Sequence, residues 1–286
     1  MSLSDVEKLK RYNKMKKIAF VCLTRGYLDI KCYDDIIYRN NCIKPYLDEY
    51  NAKNIIFHEG NITSTQQTYI VNQSCNTEFV NLQEIDTKAF RDVGKLEPSD
   101  IIYETERSMD FNIGYRHMCH FWLVDFLHIL KDYEYIVRVD EDCFLQSFPN
   151  NLFNNDFVFI TPHLYGPDCE VVTVGLQHTL DNFNKMEGTI ETFKVNQCTR
   201  NPYTNVFVLN IQKFLNNDLF AKYVKHIDST NGIYINRWGD LPLMGYFLQN
   251  YVPQKDYLLD RRISYVHKSH DNRQINRVYS NNKLVL

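Results

Sequence analysis

At 286 residues, 44% hydrophobic and 23% charged, the chain has room for one large α/β domain with a full core, and its composition is neither disordered nor membrane-spanning. Its net charge of −3 excludes the basic stripe of a general nucleic-acid binder. No hydrophobic leader opens the sequence, and no apolar run approaches the roughly 18 residues that span a bilayer. A soluble, cytoplasmic protein is therefore expected, or a Golgi-lumenal one if an N-terminal anchor has been removed. None of the cysteines forms C-x-x-C, so a zinc knuckle or a thioredoxin-type dithiol is not expected.

Residues 1–16 are charged and read as a peripheral N-terminal segment. Lys17 to Leu23 is the first buried strand and runs into the turn Thr24-Arg25-Gly26. Ligands of open α/β sheets gather at such strand ends, which makes Thr24, Arg25 and Gly26 nucleotide-contact candidates by position. Neither G-x-G-x-x-G nor a P-loop is present. Ile36, Asn40, Ile43 and Leu47 recur at helical spacing, and Lys53–His58 and Glu78–Asn81 read as the next strands. The polar segment 83–110 reads as an irregular loop. Tyr115, Met118, Trp122, Phe126 and Ile129 then predict a long amphipathic helix, with Arg116, His117 and His120 near its start.

Tyr135-Ile-Val-Arg-Val139 is a buried-strand run that stops in three acids, Asp140, Glu141 and Asp142. Carboxylates interrupting an apolar segment are costly without a cation or a donor network. Strand alternation would put Asp140 and Asp142 on one face, able to grip a hard divalent ion. Further strands are predicted over 157–161, 204–210 and 263–266, and helices over 218–228 and 240–251, with an ambiguous stretch through 200. Alternating strands and helices give a single α/β domain, mostly parallel in its central sheet and flanked by helices.

Four segments together resemble a known family. Tyr115-Arg-His-Met-Cys-His-Phe121, Tyr135-Ile-Val-Arg-Val-Asp-Glu-Asp142, Asn236-Arg-Trp-Gly-Asp-Leu-Pro242 and Tyr265-Val-His267 are similar to the successive signatures of the fungal Golgi α-1,2-mannosyltransferases. Those signatures read Y-R-x-M-C-R-F, Y-W-R-V-E-P-D, Y-E-R-W-G-D-A-P and G-Y-x-H. Order and spacing agree over roughly residues 17–268, and Arg237-Trp-Gly-Asp-Leu-Pro242 is the most specific piece. The resemblance implies an A-type glycosyltransferase fold over 17–270, followed by a tail at 271–286. It implies an enzyme that transfers a hexose, mannose by resemblance, to a hydroxyl of a glycan or glycoprotein acceptor. The donor would be a nucleoside-diphosphate sugar, GDP-mannose ahead of a UDP-sugar, bound through Mn2+ or Mg2+.

Carried over by position, Asp140, Asp142 and His267 would hold the metal, with His270 a rival imidazole. Tyr115 and Arg116 would join Thr24, Arg25 and Gly26 at the donor, and Asp240 would meet the donor sugar or act as a base. Trp238 could offer a face to a sugar or simply pack. Two family glutamates are missing: Phe207 stands where one is expected, and Asn236 replaces the other. Retention is the expected stereochemistry; without a carboxylate nucleophile it would proceed by same-face attack, and inversion with Asp240 as base is the alternative. The rival functions are an inactive sugar- or nucleotide-binding relic and a sugar-phosphate nucleotidyltransferase.

Overall fold

The computed structural model describes residues 16–85 and 113–268. Residues 1–15 of the N-terminal segment, most of the expected loop at 83–110, His270 and the C-terminal tail lie outside the described residues. Strand β1 (Ile18–Leu23) leads through a 3-10 turn to helix α1 (Asp34–Tyr50), then β2 (Lys53–His58), α2 (Ser64–Gln73) and β3 (Glu78–Asn81). Thr63 starts α2 with a capping box to Gln66, which satisfies donors that a helix N-terminus leaves orphaned. After α3 (Ile113–His120) comes a π-helical turn, Phe121–Asp125, and the short α4 (Phe126–Ile129). Then follow β4 (Tyr135–Val139), β5 (Cys143–Ser147), β6 (Phe159–Thr161), β7 (Leu164–Tyr165) and α5 (Leu176–Glu187). The described residues continue with β8 (Asn201–Pro202), β9 (Val206–Asn210), α6 (Ile211–Leu215), α7 (Asp218–Ser229), α8 (Gly232–Ile235), α9 (Asp240–Tyr251), β10 (Tyr257–Leu259) and β11 (Ser264–His267).

Seven strands form the central sheet in the order β10-β6-β9-β4-β1-β2-β3. Its pairings are parallel except where β9 runs antiparallel between β4 and β6. Alternation sorts the strands between two cores. Ala19, Val21, Ile136, Phe207 and Leu209 face the helices α3 to α9, whereas Ile18, Phe20, Val137, Val139 and Val208 pack against α1 and β5. None of the described helices is long and apolar enough to cross a membrane.

The predicted long helix is interrupted, and His120 supplies the physical reason. Its Nδ1 lies 3.1 Å from Asp125 Oδ2, and its Nε2 lies 2.8 Å from Asp228 Oδ1 on α7. Residues five apart stand about 140° apart around a regular α-helix, so the wider π turn is what lets His120 and Asp125 meet. Burial pulls the His120 pKa down, but bonds to both carboxylates and their charges outweigh it and the net shift is upward. His117 meets the Tyr234 hydroxyl at 3.2 Å. Both histidines therefore tie α3 to α7 and α8.

Candidate active site

The acids after β4 occupy a tight turn and not an extended strand. The strand ends at Val139, and the Cys143 amide donates to the Asp140 carbonyl at 3.0 Å before β5 begins. Alternation therefore stops applying, and the three carboxylates go three ways. Both oxygens of Asp140 accept from the Arg138 guanidinium, at 2.7 and 3.1 Å. Glu141 accepts from the Thr24 hydroxyl and, at 2.7 Å, from the Tyr27 hydroxyl. Asp142 Oδ2 lies 3.2 Å from His267 Nε2.

His267 reaches Asp142 because β11 pairs antiparallel with β5 in a register that sets His267 opposite Cys143. The Lys268 amide fastens the end of that ribbon by donating to the Asp142 carbonyl at 3.0 Å. Asp142, Cys143 and His267 each offer a ligand atom within 4.8 Å of the others. Two adjacent ligands on an octahedral ion about 2.1 Å away stand about 3 Å apart, which the carboxylate and imidazole match. Burial holds the Cys143 thiol well above its ordinary pKa, next helped by the negative charge of Asp140. A neutral thiol is a poor donor to a hard cation. Asp142 and His267 thus suit Mn2+ or Mg2+, while Asp140, expected as the third ligand, is committed to Arg138.

Arg138 is the hub beneath this turn. It is 2% exposed, sits 4.3 Å over the Trp122 ring, and donates at 2.7 Å to Asp240 Oδ2 as well as to Asp140. Burial disfavours its charge, but the two carboxylates more than compensate and raise its pKa. Asp240 opens α9, where the dipole favours an acid. Phe207 pairs across from Arg138 in the register of β9 and β4, so an apolar ring occupies the position of the missing family glutamate.

The other predicted contacts separate into those beside the turn and those used for scaffolding. Thr24 is held by Glu141. The Arg25 guanidinium lies 5.2 Å over the Tyr27 ring. A side chain on Gly26 would come within 2.3 Å of the Asn61 carbonyl oxygen, which explains the glycine. The Tyr115 hydroxyl accepts from Arg237 at 3.1 Å, and Arg237 also binds Asp168 at 3.2 Å. Arg116 is fully buried and donates through Nη1 to the carbonyls of Tyr234 and, at 3.1 Å, Ile235, so it clamps the end of α8. Trp238 is core, with its indole N–H on the Val174 carbonyl at 2.8 Å; a side chain on Gly232 would strike its ring.

Sequence reasoning gave no role to Glu141, which holds Thr24 and Tyr27, or to the buried Arg39. From α1, Arg39 donates to the carbonyls of Val139 and Val21 at 3.0 and 3.2 Å and so ties β4 to β1 just below the site. Its only advance signal was a cation on the apolar side of an amphipathic helix.

No family model matches the chain. It is 24% identical over 169 residues to probable mannosyltransferase MNT3 of Candida albicans, covering 54% of this chain and 44% of that protein. It is 25% identical over 177 residues to glycolipid 2-alpha-mannosyltransferase 1 of the same organism, covering 54% and 39%. The chain therefore spans less than half the length of these curated relatives. The mannosyltransferase Ktr4p from S. cerevisiae superposes with a TM-score of 0.72 at 17% identity, covering 89% of this chain and 71% of Ktr4p. The Mn/GDP form of core-mannan synthase A from Aspergillus fumigatus superposes with a TM-score of 0.66 at 17% identity, covering 88% and 74%. The chain is a divergent relative of the fungal mannosyltransferases, built on the A-type glycosyltransferase fold.

Proposed function

We propose that this chain transfers a hexose, mannose in the first instance, from a nucleoside-diphosphate sugar to a hydroxyl of a glycan acceptor. The observation that carries the reading is the Asp142–His267 pair, 3.2 Å apart at the carboxyl end of a buried strand. The relatives' names favour mannose, and a manganese- and GDP-bound fold relative favours GDP-mannose with Mn2+. A cation between Asp142 and His267 would supply Lewis-acid charge to the departing diphosphate.

The protein's own groups do the rest. Glu141 anchors Thr24 and Tyr27, so the turn through Arg25 and Gly26 presents its backbone to the nucleotide from a fixed position. Arg138 joins Asp140 to Asp240, setting the carboxylate at the start of α9 to orient donor-sugar hydroxyls. Tyr115, fixed by Arg237, stands near Gly239 at the same helix start. The reaction proposed retains configuration, and because β9 offers Phe207 and not a carboxylate it would do so by same-face attack and not through a covalent glycosyl-enzyme. The acceptor oxygen bonds to the anomeric carbon on the face the diphosphate leaves, and its proton passes to a phosphate oxygen as the C–O bond breaks.

The test is a panel of nucleotide sugars incubated with the protein, with and without Mn2+. GDP-mannose should yield GDP plus free or transferred mannose, at a rate well above that of UDP-sugars, and chelation should abolish it. Binding of GDP without any release would favour a relic, and pyrophosphate production from a nucleoside triphosphate would favour a nucleotidyltransferase.

A further inference from the structure

The small sheet of β7 and β8 brings a second aromatic residue to His267. Tyr203 directly follows β8, and its amide donates to the His163 carbonyl at 3.0 Å, which fixes the backbone. Its hydroxyl lies 3.3 Å from His267 Nδ1, with the rings edge-to-face at 5.9 Å and 62°. On its other side the Tyr203 ring stacks on Tyr165 at 5.6 Å and 18°. Tyr165 is 56% exposed, so it acts as an outer cover to the inner tyrosine. The phenol oxygen is therefore held in direction by a backbone bond, a stack and an edge contact.

An imidazole can give a lone pair to a cation from one nitrogen only when the proton sits on the other. Nε2 is the nitrogen that faces Asp142. The liganding form of His267 thus carries its proton on Nδ1, and Nδ1–H needs an acceptor where Tyr203 stands. We propose that Tyr203 is a positioning residue for the cation site, accepting from His267 Nδ1–H and so selecting the tautomer and ring rotation that aim Nε2 at the Asp142 carboxylate. This rests on reading Asp142 and His267 as cation ligands. Tyr203 follows β8, outside the β5–β11 ribbon that brings the two ligands together, so the packing of β7 and β8 bears on metal affinity without touching the metal. A purely packing role would need the ring and not the oxygen.

Tyr203→Phe makes that distinction, since it keeps the ring and the stack and removes the oxygen. Calorimetric titration with Mn2+ alone should show a dissociation constant about 10- to 100-fold weaker in Tyr203→Phe, with circular dichroism and melting little changed. Tyr165→Phe should bind as wild type. His267→Ala separates the two levels of the reading. If it binds Mn2+ as well as wild type does, the cation site itself is wrong. If it loses Mn2+ while Tyr203→Phe does not, only the role of Tyr203 falls. A measurement on the unaltered protein guards against a variant that fails to fold: histidine 15N–1H correlation spectra in saturating Mg2+. A proton on His267 Nδ1 is expected, and a proton on Nε2 would overturn the proposal.

Discussion

Asp142→Ala is expected to lower Mn2+-dependent kcat/KM for nucleotide-sugar turnover by about 1,000-fold, roughly 4 kcal/mol of transition-state stabilisation. The variant loses the carboxylate set against the His267 imidazole, and the other groups of the turn are already engaged. Glu141 is occupied by Thr24 and Tyr27, Asp140 by Arg138, and the Cys143 thiol is held neutral by burial. Stability should barely change, because the Asp142 side chain is 27% exposed and lies on a turn. Steady-state kinetics beside a urea melt separates the two quantities. Undiminished turnover in a folded Asp142→Ala protein would remove the site assignment.

Arg138→Met should register first in the melt, as a stability loss of about 3–5 kcal/mol. The guanidinium is sealed between Trp122 and the strands, and it is bonded to Asp140 and Asp240 at once. Removing it strands two carboxylates in a poorly solvated site, and each raises the cost of ionising the other. Arg138→Lys should recover only part of the loss, because an ammonium cannot match the fork that grips Asp140 through two nitrogens while a third reaches Asp240. The urea midpoint is the readout. A shift equivalent to less than 1 kcal/mol in Arg138→Met would mean that the ion triple does not hold β4 to α9.

Much of the scaffold was legible because its elements obey local periodicities. Lys53–His58, Glu78–Asn81 and Asp240–Tyr251 appear with the bounds that their apolar patterns and turn residues suggest. Strand direction is a different matter, since the pattern of Val206–Asn210 reads identically whether it runs parallel or antiparallel to β4. The ambiguous stretch before residue 200 held the amphipathic helix Leu176–Glu187, whose ends are marked by Gly175 and Gly188 at positive φ. Those glycines were a usable signal.

The site divides the same way. Asp142 was a candidate because acids interrupt an apolar strand there, and His267 because of the family resemblance; the structure adds the reason the two side chains meet, the β5–β11 register. Alternation misled at Asp140 because the strand stops one residue earlier, freeing each acid to follow its nearest donor. Glu141 finds Tyr27 across 114 residues of sequence, a pairing no local pattern encodes. Arg116 and Arg138 are both arginines in recognisable motifs, yet only the fold tells that one clamps backbone carbonyls while the other bridges two acids.

Electron paramagnetic resonance of Mn2+ titrated into the protein with saturating GDP tests the central claim most directly. One ion should disappear from the free-metal signal per wild-type chain, with nitrogen coupling from His267, and neither Asp142→Ala nor His267→Ala should take it up. Full, unaltered manganese occupancy in both variants would contradict the account.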